Sequence, residues 1–351
     1  MLQVSVGELG LLLVAGSVGA MSGLLFVGKF IAHRGTKRGA QIGMTIWFTG
    51  MLLVATGLAL NSVWLFAIGN VLGGVGGGMT DVAINVDGST IEQKLGRAAM
   101  PKMHAAFSIG ALAGAGLGTI AIQFHLNLAL QVAVFAAACY LVPILATASM
   151  PTDNGLHSDE EKAGNKEPAF SKIVILLGLG IFGMTLAEGA SNDWLTIGMV
   201  EDYKADHTIA GISYAILIAS MTLVRFFGGS LTDRFGKART LQVTGVIGLV
   251  GLLLLISRIS IPLAMVGALL WGVGVALAFP LFLSAAGEQP NPARKVATVS
   301  AFGYTSFLVG PPLLGLVGQA IGVVNMYWVI LLFIGLSVVV AGAAGNKKAS
   351  N

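Results

Sequence analysis

The sequence has a single cysteine, Cys139, so a disulfide within the chain is excluded. Charge is almost as scarce. Only 10% of the 351 residues are Asp, Glu, Lys or Arg, against about a quarter in soluble domains. Five histidines lie scattered at positions 33, 104, 125, 157 and 207, and none falls in an H-E-x-x-H or other metal-ligating spacing. The Gly-Lys pairs, Gly28-Lys29 and Gly236-Lys237, are followed by Phe30 and Ala238 where a P-loop needs Ser or Thr. No glycine in the rich stretch "GGVGGGMTDVAINVDG" (73–88) meets the G-x-G-x-x-G spacing of a dinucleotide loop. With no nucleophile, metal or phosphate motif, neither an enzyme nor a cofactor is expected.

What the sequence has is apolar length. Hydrophobic residues make up 55% and the mean hydropathy is +0.85. Polar groups too few to cover a surface in water point to an all-α polytopic membrane protein whose first partner is the lipid bilayer. A hydrocarbon core takes about 20 apolar residues per helix. Runs of that order are expected near 8–32, 39–60, 63–88, 101–123 and 127–149. They resume near 172–195, 209–232, 239–257, 261–284, 296–320 and 324–345. The polar stretch "MPTDNGLHSDEEKAGNKEPAFS" (150–171) reads as a flexible, solvated cytoplasmic linker. It separates a first half, 1–149 with five helices, from a second, 172–351 with six.

The excess of 20 Lys and Arg over 16 Asp and Glu gives a net charge of +4, but the positions of these charges say more than their sum. If the spans alternate sides, Lys29, Arg34, Lys37 and Arg38 share a side with Lys94, Arg97 and Lys102. The same side receives Lys162, Lys166 and Lys172, then Arg234, Lys237 and Arg239, then Arg294, Lys295, Lys347 and Lys348. The opposite side keeps Lys204 and Arg258, and Arg225 falls inside a helix. Basic residues mark the cytoplasmic face. The linker and C-terminus are therefore expected inside and the N-terminus outside, in a plasma (inner) membrane. No nucleic-acid partner is expected, and the sequence sets no oligomeric state.

The chain repeats itself. "GKFIAHRGTKR" (28–38) and "GSLTDRFGKAR" (229–239) share glycine at the first position (Gly28, Gly229) and the eighth (Gly35, Gly236), and arginine at the eleventh (Arg38, Arg239). The second also carries Asp233 and Arg234, where the first has Ala32 and His33. The glycine-rich 69–78 is echoed by "GALLWGVG" (267–274), again near an offset of 200. Two pseudo-symmetric halves with five and six helices leave the first without its opening helix, so the chain is expected to be shorter than the working transporter.

These loops, the central linker and the two-half repeat resemble the major facilitator superfamily of secondary transporters, over nearly the whole chain. The resemblance implies a carrier that exposes a midplane site to each side in turn, with the two loops as gating elements. "GGGMTDVAIN" (76–85) is similar to the acidic motif of the proton-coupled fucose/hexose permease branch. Asp81 then takes the place of the acid and Asn85 that of the asparagine. "EGASNDW" (188–194) is similar to that branch's Glu-to-Trp segment.

Read by themselves, Asn70, Gly74, Gly77, Gly78, Asp81 and Asn85 recur every three to four residues and share a helix face. The glycines there serve close helix packing. Two readings stand for Asp81: a proton site or solute ligand, or a structural pair or cap. Glu188 and Asn192, four apart, share a face, and Glu188 is a second functional candidate. Arg225 snorkels inward, pairs with an acid near the cytoplasmic helix ends, or holds an anionic solute. His104 and Ser108 share a face, as structural group or proton relay. Gly110, Gly114 and Gly118 form a packing run, and Pro280 and Pro311-Pro312 break helices as hinges or static kinks. The expected activity is proton-coupled transport of a small polar solute such as a sugar. The rivals are a drug or metabolite efflux carrier of the same fold and an inactive truncated relative.

Overall fold

In lipid a backbone N–H or C=O has no water to bond, so each must find its partner inside its own segment. Every regular element among the described residues is accordingly a helix. A computed structural model describes residues 6–124, 126–152, 154–155 and 170–345. The linker stretch 156–169, with Lys162 and Lys166, and the tail with Lys347 and Lys348 lie outside them.

The helices are α1 (Val6–Leu60), α2 (Val63–Leu95), α3 (Met100–Gln123), α4 (Leu128–Ala146), α5 (Lys172–Glu201) and α6 (His207–Phe235). They continue with α7 (Lys237–Ile256), α8 (Ile261–Val275), α9 (Ala278–Gly287), α10 (Pro292–Ile321) and α11 (Val323–Val340). Nine segments among the described residues are long and apolar enough to cross a membrane. The two spans expected at 8–32 and 39–60 are arms of α1, which bends at Gly35 (φ 80, ψ 162). The span expected at 261–284 is α8 followed by α9, broken at Ala276 and Leu277.

The contacts divide the chain into two compact units. One holds the described residues of 1–90, 109–168 and 290–298; the other holds those of 91–108, 169–289 and 299–351. Each unit thus takes a short segment from the opposite half of the sequence.

In the first unit α2 is held by both arms of α1 through glycine. A Cβ at Gly78 would stand 2.7 Å from the Ala20 carbonyl, on the first arm. A Cβ at Gly69 would stand 2.6 Å from the Val54 amide, on the second. Only a residue without a side chain lets two backbones come this close. The bend at Gly35 is clipped from below. Buried Asp87 on α2 accepts hydrogen bonds from Thr36 Oγ1 at 3.1 Å and Asn154 Nδ2 at 2.6 Å, and the Thr36 amide donates to the Asn154 carbonyl at 2.9 Å. The start of the linker is therefore docked, not solvated: Asn154 is buried. Its polar composition hid this, because Asn154 finds the Asp87 carboxylate and the Thr36 backbone amide to replace water.

In the second unit α5 is largely enclosed. Ser337 of α11 donates to the Gly180 carbonyl and Tyr327 to the Trp194 carbonyl, each at 2.9 Å. Both buried hydroxyls are thereby satisfied, and Trp271 of α8 closes the core edge-on to Tyr327.

Candidate functional site

Polar side chains inside apolar helices are costly unless they meet one another, a cavity or an ion. Each unit gathers sets of them. In the first unit Asp81 is half-buried on α2, and one turn on, Asn85 Nδ2 donates to the Asp81 carbonyl at 2.8 Å and to Oδ1 at 3.1 Å. The amide fixes the carboxylate rotamer. Asn70, three turns earlier, lies beside Gly16 of α1. Gly74 and Gly78, on the face between them, lie against α1 at Gly16 and Ala20, as the spacing predicts.

In the second unit three expected residues meet at Arg225, which is 5% exposed. Its Nη2 donates to Glu188 Oε1, its Nη1 to Ser108 Oγ and its Nε to the Ala276 carbonyl, each at 2.9 Å. Ser108 donates in turn to the His104 carbonyl at 3.1 Å, and the His104 ring stands edge-on to Phe279, 5.5 Å between centroids. A planar fork with fixed donor directions suits three acceptors on three elements, as an ammonium would not. Arg225 pairs with an acid, Glu188, which lies in the middle of α5 and not near a helix end as expected. Asn192, a turn past Glu188, is exposed and accepts from the Tyr214 hydroxyl at 3.0 Å. Tyr214 and Ala276 carried no signal as candidates. A single helix face does not disclose what crosses from the next helix, although Pro280 marks Ala276 four residues ahead.

The two repeated loops prove to be single-residue bends. Gly35 has φ 80, ψ 162 and Gly236 has φ 78, ψ 159, so the eighth position of both repeats adopts one conformation. The first positions also match: a Cβ on Gly28 would meet the backbone at Arg294 at 3.2 Å, and one on Gly229 would meet the Ala98 carbonyl at 2.9 Å. Asp233 accepts the Ala98 amide, Arg234 stacks over Phe235, and Arg38 and Arg239 are exposed.

Beside the second loop lies a cluster the sequence did not disclose. Glu92 accepts the Ala99 and Met100 amides at 2.8 and 3.0 Å and the Ser284 hydroxyl. Lys237 bridges it to Glu288, at 3.2 and 2.6 Å. A cavity of about 490 Å³ opens among Glu92, Arg97, Asp233, Lys237 and Glu288. Among the described residues no group of His, Cys, Asp and Glu is arranged to hold a metal ion.

Apolar helices of membrane length, a doubled bend-and-glycine repeat and carboxylates held inside the helices define a multi-pass membrane carrier. The chain belongs to the Major Facilitator Superfamily, whose model matches residues 1–305 and 177–347. It is 30% identical over 343 residues to an uncharacterised transporter of Sinorhizobium fredii, covering 97% of this chain and 89% of that one. Its fold is similar to that of the E. coli fucose:proton symporter FucP, with a TM-score of 0.79 at 15% identity over 97% of this chain and 92% of the other. The proton:xylose symporter XylE gives 0.73 at 13% identity, over 96% and 86%. At these identities the likeness is one of fold. The family's members are membrane transporters, and their setting is the bilayer with a small-molecule solute.

Proposed function

We propose that this protein carries a small polar solute, such as a sugar, across the inner membrane in company with protons, by alternating access. Its halves are then 1–149 with five spans and 172–351 with six, joined by a cytoplasmic linker at 150–171, with the C-terminus inside. The split of basic residues supports that orientation. The observation that carries the reading is Asp81 within the glycine-rich α2, oriented by Asn85 through the 3.1 Å bond to its carboxylate. A carboxylate in such a place serves to exchange a proton or to hold a polar group. Glu188 and Asn192 supply the second polar set. Arg225 spends its fork on protein acceptors, which argues against an anionic solute there. The fold likeness to FucP and XylE, both sugar symporters, accords with the reading.

The test is transport by the purified chain in liposomes under an imposed proton gradient. Asp81→Asn keeps shape and hydrogen bonding but has no proton to give up. Gradient-driven accumulation should vanish while solute exchange at equilibrium continues. Accumulation equal to the parent's would show that Asp81 is structural.

A further inference from the structure

Proline lacks a backbone N–H, and its ring crowds the carbonyl four residues before it. For Pro280 that carbonyl belongs to Ala276, the point at which the span breaks between α8 and α9. A buried acceptor deprived of its helical donor needs another. Arg225 provides it, Nε to the Ala276 oxygen at 2.9 Å, while the far end of the same fork holds Glu188. The carboxylate and the helix break are therefore two ends of one rigid, planar group.

We infer that Arg225 is a positioning residue that ties the charge on Glu188 to the bend of the α8–α9 span. While Glu188 is ionised, its bond to Nη2 fixes the plane of the guanidinium and keeps Nε on Ala276. When Glu188 takes up a proton, that charge-assisted bond is lost, the fork turns toward Ser108, and the break at Ala276 and Leu277 loosens. The titratable groups around this pair in the unit are Tyr214 from α6, His104 from α3 and Asp193 on Glu188's own helix. His104 lies near both the fork and the break, interacting with Arg225 and standing edge-on to Phe279, two residues past the break. The inference rests on the reading of Glu188 as a working carboxylate.

Hydrogen–deuterium exchange on the full chain in lipid nanodiscs, without solute or gradient, reads the break directly. In Glu188→Gln the amides between Ala276 and Leu283 should exchange about tenfold faster than in the parent, the size set by loss of one charge-assisted hydrogen bond. Arg225→Lys should do the same, since one ammonium cannot serve three acceptors in a plane. Pro280→Ala restores an N–H for the Ala276 carbonyl, so Glu188→Gln added to it should bring no further rise. An unchanged rate in Glu188→Gln, or the same acceleration with and without Pro280, overturns the inference. A variant that exchanges fast throughout has unfolded. The parent is then compared with Glu188 ionised and with Glu188 neutralised by acid, after correction for chemical exchange. The same local rise is expected there, and its absence is equally fatal. Normal transport by Glu188→Gln together with a shifted exchange would sink the assigned role of Glu188 but leave this linkage standing. Lost transport with unshifted exchange would do the reverse.

Discussion

Gly35 and Gly236 share one backbone conformation but not one environment. With φ near 80° and ψ near 160°, both sit where only glycine is at ease. Around Gly236 an added Cβ would meet nothing within 4 Å; at Gly35 it would stand 2.5 Å from the Thr152 carbonyl. Gly236→Ala therefore isolates backbone strain, expected to cost about 1–3 kcal/mol. Gly35→Ala adds a backbone collision and should cost more. Thermal unfolding in detergent would show it: both melting points fall, Gly35→Ala the further, and a reversed order would contradict the account. These two glycines were legible because a conformation forbidden to other residues leaves its mark at one position. Asp87 was not. It lay in plain view beside Asp81, but its partners, Thr36 and Asn154, come from a bend and a linker that the sequence presents as unrelated.

At the scale of the element, α2 shows what periodicity delivers and where it stops. Spacing put Asn70, Gly74, Gly77, Gly78, Asp81 and Asn85 on one face; Gly74 and Gly78 do meet the first arm of α1, while Gly77 faces Trp47 of the second. Gly69 and Gly76, on another side, meet the second arm at Gly50 and Gly43. A repeat of three to four residues gives an angle around a helix and no information on which neighbour fills it. The backbone contact at Gly74 is closer than any side chain allows. Gly74→Leu should separate α1 from α2, and the variant should lose folded yield and melt well below the parent in size-exclusion and thermal assays. Gly110→Leu, where a Cβ would meet nothing within 4 Å, should leave both unchanged. Equal behaviour of the two variants would refute packing as the role of Gly74. The bends between spans were read as loops several residues long because polar and basic residues filled them. In the structure the helices run through those residues up to the glycine itself, since Lys and Arg are good helix formers.

For the whole molecule, the uneven placing of basic residues predicts which loops face the cytoplasm. A reporter active only in the cytoplasm should work when fused in the linker near Gly164 or after Lys348, and should be silent near Lys204. The opposite pattern would invert the topology. The count of apolar runs and the repeated bend made the fold class readable from the sequence. The borrowing of 91–108 and 290–298 by the opposite units was not, because such pairing links residues far apart along the chain and follows no local pattern.

That borrowing sets a schedule for biosynthesis. The carboxylate of Glu92 leaves the ribosome long before the serine that bonds it, which lies 192 residues further on. At translation rates of about 5–20 residues per second the interval is roughly 10–40 s. Early in that interval Glu92 has only the Ala99 and Met100 amides, and the 91–108 segment lacks its bonds to Arg225, Asp233 and Lys237. A nascent chain halted before α6 would hold this segment without those bonds. The second unit closes only after Ser284 and Glu288 have been made, so its completion is a late and essentially post-insertional event.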